Sequence, residues 1–402
     1  MKIAAIICEY NPFHNGHLYQ LNTLKKELSA DYVIALMSGD FVQRGAPAFC
    51  DKFSRAKMAL ECGIDLVLEL PVRYATSSAE FFASGSVFLL NALNCVDFLV
   101  FGSESKDLSA LQSCADLLAD EPEEFQILLK KHLKSGLSFP SARQSAMKEL
   151  LGNSIEILLS QPNNILAIEY LKALKKYHSK ITPYGIQRMD SGYHSHALDS
   201  TLASATAIRN SISKHGWTSS LEDVVPPPVV SYLKQNVTKM YPVILDDYSD
   251  MIFYQLMTNP HLEEYQDYHP EILDRIKKVL PQCTTITELI EQTKTRNFTY
   301  GRISRYLLHI LLGIPSYSIE DTPNYGKILG FRKTASPLLR LLKERTSIPI
   351  IQKTSQYREL LPEDCVPFFE QELQSAHLYN YVVLKKYGTT IPDDLRHPIL
   401  VV

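Results

Sequence analysis

The chain lacks any CxxC pair. Its seven cysteines stand apart at positions 8, 50, 62, 95, 114, 283 and 365, so neither a zinc site nor a dithiol redox motif is predicted, and no protein-held metal is expected. An odd, dispersed set of thiols fits a reducing cytoplasm. Positive charge is not in excess either. Lys and Arg number 41 against 44 Asp and Glu, a formal net charge of -3, which excludes a global field for nucleic acid but leaves room for a local basic face. No run of about 20 apolar residues occurs, so no membrane span or membrane partner is expected. The opening MKIAAIICEYNPF is too short a pattern for a secretory signal. Internal repeats and low-complexity tracts are also missing, and no obligate protein partner is suggested.

What is present is a globular balance, 45% hydrophobic and 21% charged over 402 residues, long enough for two or three domains. Short apolar runs at Ile3–Cys8, Tyr32–Met37, Asp65–Leu70 and Val96–Phe101 alternate with helical spacing at His17–Leu28, Phe53–Cys62 and Ser78–Leu93. This βα alternation predicts a Rossmann-like parallel sheet with right-handed crossovers. Helical spacing over 107–176 precedes a further strand at Ile181–Gln187 and a helix at Ser204–Lys214. Pro226-Pro227-Pro228 then breaks the pattern. The expected division is an α/β nucleotide-binding domain over 1–225 and a mainly α-helical region over 226–402. The latter has a helix at Ser336–Arg345 and a strand at Ile348–Ile351 that could form a small αβ unit at its end. On this division a fragment ending near residue 240 should keep weak activity of its own.

The sharpest local feature is Asn11-Pro12-Phe13-His14-Asn15-Gly16-His17, directly after the first strand and opening the first helix. Such a junction offers backbone N–H groups and the positive end of the helix dipole to a phosphate. His14 and His17 add donors where charge builds up in a phosphoryl transition state. Here the chain resembles the HIGH-type nucleotidyltransferases and class I aminoacyl-tRNA synthetases, in which the two histidines contact ATP phosphates. The resemblance extends to Ser204-Ala205-Thr206-Ala207-Ile208-Arg209. There Ser204 and Thr206 can cap a helix or bind phosphate, and Arg209 can pair with the β- and γ-phosphates.

Further stretches narrow the resemblance. Met37-Ser38-Gly39-Asp40-Phe41-Val42-Gln43-Arg44-Gly45, Leu68-Glu69-Leu70-Pro71, Phe101-Gly102-Ser103-Glu104 and Gln161-Pro162-Asn163-Asn164 are similar to those of the bacterial tRNA(Met) cytidine acetate ligases. Membership would imply ATP with magnesium bridging its oxygens, acetate, and elongator tRNA(Met), whose wobble cytidine becomes N4-acetylcytidine through an acetyl-adenylate. His14, His17, Asp40 and Arg209 are then the catalytic candidates. Cys8, Glu9, Tyr10, Asn11, Pro12, Phe13, Asn15, Gly16, Gly102, Ser103, Asn163, Arg188, Ser204 and Thr206 are the nucleotide-binding candidates. Lys294, Arg296, Arg302 and Arg305, with Tyr300 and Tyr306 between them, form one basic stretch suited to RNA. Arg332, Lys333, Arg340 and Lys343 form another. The Tyr193-His194-Ser195-His196 stretch reads as a solvated loop. Two rivals remain on the residues alone. One is a small-molecule adenylyltransferase acting on a phosphopantetheine or a mononucleotide, and the other is a nucleotide-responsive RNA-binding adaptor.

Overall fold

The computed structural model describes residues 1–137, 139–153, 155–188 and 203–402; the Tyr193–His196 stretch lies outside them. Its centre is one sheet. The strands are β1 (Ile3–Cys8), β2 (Tyr32–Ser38), β5 (Leu66–Leu70), β6 (Phe98–Ser103) and β7 (Thr182–Gln187), with β8 (Gly326–Phe331), β9 (Ile350–Ile351) and β10 (Leu400–Val401) added later in the chain. A separate two-stranded hairpin, β3 (Phe41–Val42) and β4 (Ala46–Pro47), follows β2. The spatial order is β10-β8-β5-β2-β1-β6-β7, with β9 also paired to β8. Strands β5, β2, β1, β6 and β7 are mutually parallel.

Alternate residues of these strands pack to opposite faces, as a period of two requires. Ile3, Ala5, Ile34, Leu36, Leu66 and Leu68 face helices Ala79–Ala92, Leu108–Asp120, Pro162–Lys176 and Ser336–Arg345. Ala4, Ile6, Val33, Ala35 and Val67 face helices Asn15–Leu28, Lys52–Glu61, Ala205–His215 and Pro227–Asn236. Burial on both sides is why the strands read as unbroken apolar runs. A third core joins helices Ser249–Thr258, Pro270–Val279, Ile286–Thr293, Tyr300–Leu312 and the C-terminal part of Val366–Tyr387.

The last third of the chain departs from the expected small αβ unit. β8 pairs antiparallel with β5, and β9 and β10 pair with β8, so residues beyond 226 complete the first sheet instead of building their own. Gly326, Lys327 and Gly330 dilute the apolar signal of β8, which is why local pattern did not reveal it. Close packing needs the small residue: a Cβ on Gly330 would stand 2.8 Å from Leu60 Cδ1.

Beneath this seam lies a buried charge cluster. Lys52 Nζ pairs with Glu69 at 2.9 Å and with Asp394, and Lys327 Nζ pairs with Glu69 at 2.8 Å and with Asp394. Glu372 joins from the long C-terminal helix, where Tyr325 Oη donates to it. Burial and the neighbouring Glu69 raise the Glu372 carboxyl to about 8. Kept protonated, it adds no further negative charge to Glu69 and Asp394, the two carboxylates that both lysines contact.

Candidate active site

In a doubly wound sheet, ligands bind beyond the carboxyl ends of the strands where the winding reverses. Here the chain winds from β1 to β2 and β5 on one side and returns to β6 and β7 on the other. A cavity of about 430 Å³ opens at that point. It is lined by the ends of β1, β6 and β7, by the starts of helices Asn15–Leu28, Pro162–Lys176 and Ala205–His215, and by the β3–β4 turn.

His14 and His17 line it together, their rings stacked at 3.8 Å. Their tautomers follow from the backbone. The Gly16 N–H donates to His14 Nδ1 at 3.0 Å, and the His14 N–H donates to His17 Nδ1 at 3.2 Å. Each neutral ring therefore carries its proton on Nε2, a donor for an anion in the cavity. Burial, reinforced by Arg188 and Arg209, pushes His14 down to about 3, and burial with His14 and Arg188 holds His17 well below its ordinary value. Both are neutral donors near pH 7. Gly16 is required by close approach, since a Cβ there would sit 2.9 Å from His14 Cε1.

The helix start itself differs from expectation. The Asn15 N–H donates to Val224 O at 3.1 Å and the His17 N–H to His14 O at 2.9 Å. With Gly16 capped by His14, the first amides of the helix already have partners, so charge recognition falls to side chains. Arg209 supplies much of it: its guanidinium lines the cavity and donates to Asn11 O at 2.7 Å and to Thr206 Oγ1 at 3.2 Å. Glu9 supports the Arg209 charge against burial. Arg188 extends from the end of β7 beside Gly102, where a Cβ would meet Arg188 Cγ at 3.4 Å.

Cys8, Glu9, Tyr10, Asn11, Gly102, Asn163 and Ser204 also line the cavity. Two quoted stretches lock together at its far wall. Asn164 Oδ1 accepts from Ser103 Oγ at 2.8 Å and from the Glu104 and Ser105 N–H groups at 3.1 Å. Glu104 in turn accepts from Asn163 Nδ2 and from the Asn164 N–H. Phe101, Leu166 and Tyr170 make this end apolar, suited to a base, while the Arg188–Arg209 end suits phosphates.

Several expected residues do not line the cavity. Phe13 is fully buried and packs its ring 4.7 Å from Tyr10. Asn15 Nδ2 donates to Asp223 O at 2.9 Å, and Pro12 is likewise absent from the lining. Ser103 and Thr206 also lie outside the lining, hydrogen-bonded to Asn164 and Arg209 respectively. Asp40 is the main correction: its Oδ1 accepts from the Lys52 N–H at 2.8 Å, and its other oxygen lies 3.7 Å from Lys52 Nζ. It belongs to the buried charge cluster. Burial raises it to about 7, with Lys52 opposing.

Gln43 and Arg44, quoted above only for resemblance, do line the cavity, as do Tyr19 and Gln20. The alternation of strand and helix carried no signal for a hairpin of two-residue strands. Arg55 was also missed. Its guanidinium is fully buried and donates to the carbonyls of Glu9 at 2.6 Å, Ser38 at 3.0 Å, Cys50 and Gly39, tying the ends of β1 and β2 together.

The two basic stretches part company. Ser304 Oγ donates to Gly45 O at 2.7 Å, so the first turns of helix Tyr300–Leu312 abut the hairpin. Lys294 and Arg296 are exposed and Arg302 is partly so. Arg305 is ion-paired with Asp267 at 2.8 Å, and Tyr306 is buried with its hydroxyl on Leu262 O, which removes it as a stacking platform. The Arg332 N–H instead donates to Asp65 O at 2.9 Å, which puts Arg332, Lys333, Arg340 and Lys343 toward the amino ends of the parallel strands. Among the described residues no group of three or more His, Cys, Asp or Glu could hold a metal, and none of the helices is long and apolar enough to cross a membrane.

The HIGH Nucleotidyl Transferase family model matches residues 1–391. A tRNA(Met) cytidine acetate ligase of Thermoanaerobacter sp. (strain X514) is 42% identical over the full length of both chains. One of Acetivibrio thermocellus is 39% identical, covering 93% of this chain and 92% of the relative. The crystal structure of Thermotoga maritima TmcAL without ligand superposes with a TM-score of 0.94 at 31% identity, all of each chain covered. The same protein bound with alpha-thio ATP gives 0.91 at 31% identity, covering 100% of this chain and 99% of that one. This chain belongs to the HIGH nucleotidyl transferase family and, within it, to the tRNA(Met) cytidine acetate ligases.

Proposed function

We propose that the protein activates acetate with ATP and passes the acetyl group to the N4 amine of the wobble cytidine of elongator tRNA(Met), in the cytoplasm. The observation that carries the reading is the convergence of two neutral Nε2–H donors, His14 and His17, with Arg188 and Arg209 in one cavity. An acetate oxygen bonds to the α-phosphorus. The bond from that phosphorus to the oxygen bridging toward the β-phosphate breaks, and pyrophosphate leaves with the electron pair. The histidines and arginines stabilise the charge gathered on the phosphoryl oxygens. The cytidine amine then attacks the acetyl carbon of the mixed anhydride, its proton is lost, and AMP departs.

Magnesium would enter with the nucleotide. Glu9 is the one carboxylate among the described lining residues, and it supports Arg209, so the residues do not fit an all-protein magnesium cage. The substrate base must be turned out of its stack, as an anticodon loop allows. We assign tRNA contact to the helical cluster beside the hairpin, with Lys294, Arg296 and Arg302 on it. The test is incubation with ATP, labelled acetate and bulk tRNA. Label in tRNA as N4-acetylcytidine with equimolar AMP supports the reading; adenylyl transfer to a small molecule, or no ATP turnover, rejects it.

A further inference from the structure

The cavity needs a third binding feature besides a base wall and a phosphate end. A small carboxylate must approach the α-phosphorus while a polyanion is bound, so it requires a cation of its own besides those that hold the phosphates. The β3–β4 turn supplies a candidate. It brings Gln43 and Arg44 to the cavity from the β2 side, across β1 from Gly102 and Asn163. Arg44 is near enough to Arg209 that the two charges oppose each other, and Glu9 supports Arg209.

The turn is fixed from three directions. The Gln43 N–H donates to Glu9 Oε1 at 3.1 Å, which ties it to the end of β1. The Gly45 N–H donates to Val42 O at 2.9 Å and closes the loop. Gly45 has φ +75° and lies so close to the Ser304–Arg305 backbone that any Cβ would collide with it; Ser304 Oγ holds its carbonyl at 2.7 Å. A hairpin of such short strands has little stability of its own. Helix Tyr300–Leu312 behind it therefore sets where Gln43 and Arg44 stand. A guanidinium is planar and offers paired donors that match a carboxylate, and a primary amide can add one more.

We infer that Gln43 and Arg44 form the acid-binding corner of the cavity, holding the acetate carboxylate against the α-phosphate, with helix Tyr300–Leu312 as its support. This rests on the acetate-activating reading above. The assignment separates acid recognition from nucleotide recognition, which the histidines, Arg188 and Arg209 carry.

The experiment uses full-length wild type, Arg44→Ala and Arg44→Lys without tRNA. Acetate-dependent pyrophosphate release is followed against acetate at saturating ATP, and the dissociation constant of ATP is measured separately without acetate. Arg44→Ala should raise the acetate KM on the order of tenfold or more, and Arg44→Lys, which keeps the charge but loses the fork, should raise it less. ATP affinity should stay within about twofold, since the lost interaction is with the acid. An unchanged acetate KM in Arg44→Ala overturns the assignment. So does a parallel loss of ATP binding in both variants, which would place Arg44 on the nucleotide. Wild-type pyrophosphate release that ignores acetate would reject the acetate reading itself, and the corner with it.

Discussion

At the scale of single residues, the site depends on donors whose protonation the fold sets. His14→Ala and His17→Ala should each slow acetate-dependent pyrophosphate release by about 10²-fold or more, the loss expected for one transition-state donor. ATP binding measured by calorimetry should weaken less. A double variant with near-normal turnover would show that the charge is stabilised elsewhere. The same burial makes a pH prediction. His14 sits at about 3 in the fold and near 6.5 unfolded, so below 6.5 the unfolded chain binds the extra proton. The stability from keeping this ring neutral is complete above pH 6.5 and is lost as pH falls from there toward 3, by up to about 1.4 kcal/mol per pH unit. Denaturant unfolding at pH 7 and 5 should show the loss. In His14→Gln, which has no titrating ring, the slope should be shallower.

Elements hold these residues in place. The far wall depends on Asn164, whose side-chain oxygen accepts three hydrogen bonds from the turn after β6. Asn164→Ala would strand buried donors and should cost about 2 kcal/mol or more. Because that turn follows directly on Gly102 at the end of β6, ATP affinity should fall along with the melting temperature. A stable Asn164→Ala protein with normal ATP affinity would mean the clamp is dispensable. The β3–β4 hairpin illustrates a difference of legibility. Asp40 and Arg44 are four positions apart, and only Asp40 was read as a candidate. The structure turns Asp40 to the Lys52 amide and delivers Arg44 to the cavity. Nothing local distinguishes them, because the choice is made by contacts with Lys52, Glu9 and Ser304, all distant in sequence.

At the scale of the molecule, the chain closes on itself. β8 covers the edge of β5, and Lys52 and Glu69 from the first half meet Lys327 and Asp394 from the second. A fragment ending near residue 240 would bare the β5 edge and leave buried charges without partners, at about 3–5 kcal/mol for each broken pair. It should fail to unfold cooperatively, contrary to the weak activity that a division at 225 implies. A soluble fragment with a sharp transition and acetate-dependent pyrophosphate release would restore that division. The basic stretches give a second test. Neutralising Lys294, Arg296 and Arg302 should weaken tRNA binding more than neutralising Arg332, Lys333, Arg340 and Lys343. Each lost phosphate contact should lower the log–log salt slope by about 0.7 to 0.9. Equal effects in binding titrations across several salt concentrations would mean that the RNA reaches both ends of the sheet.

The sequence by itself determined the βα alternation and the place of His14 and His17 at the first strand–helix junction, which are local facts of apolar period and of the order of strands along the chain. That Ser204–Arg209 belongs to the same pocket was implied by the family resemblance. Only the tertiary structure decided that β8, β9 and β10 finish the first sheet, that the helix-start amides are already engaged, and that helix Tyr300–Leu312 backs the β3–β4 hairpin. Each of those outcomes rests on pairing between segments far apart in the chain, and pairing energy depends on the partner's surface as much as on the segment's own residues.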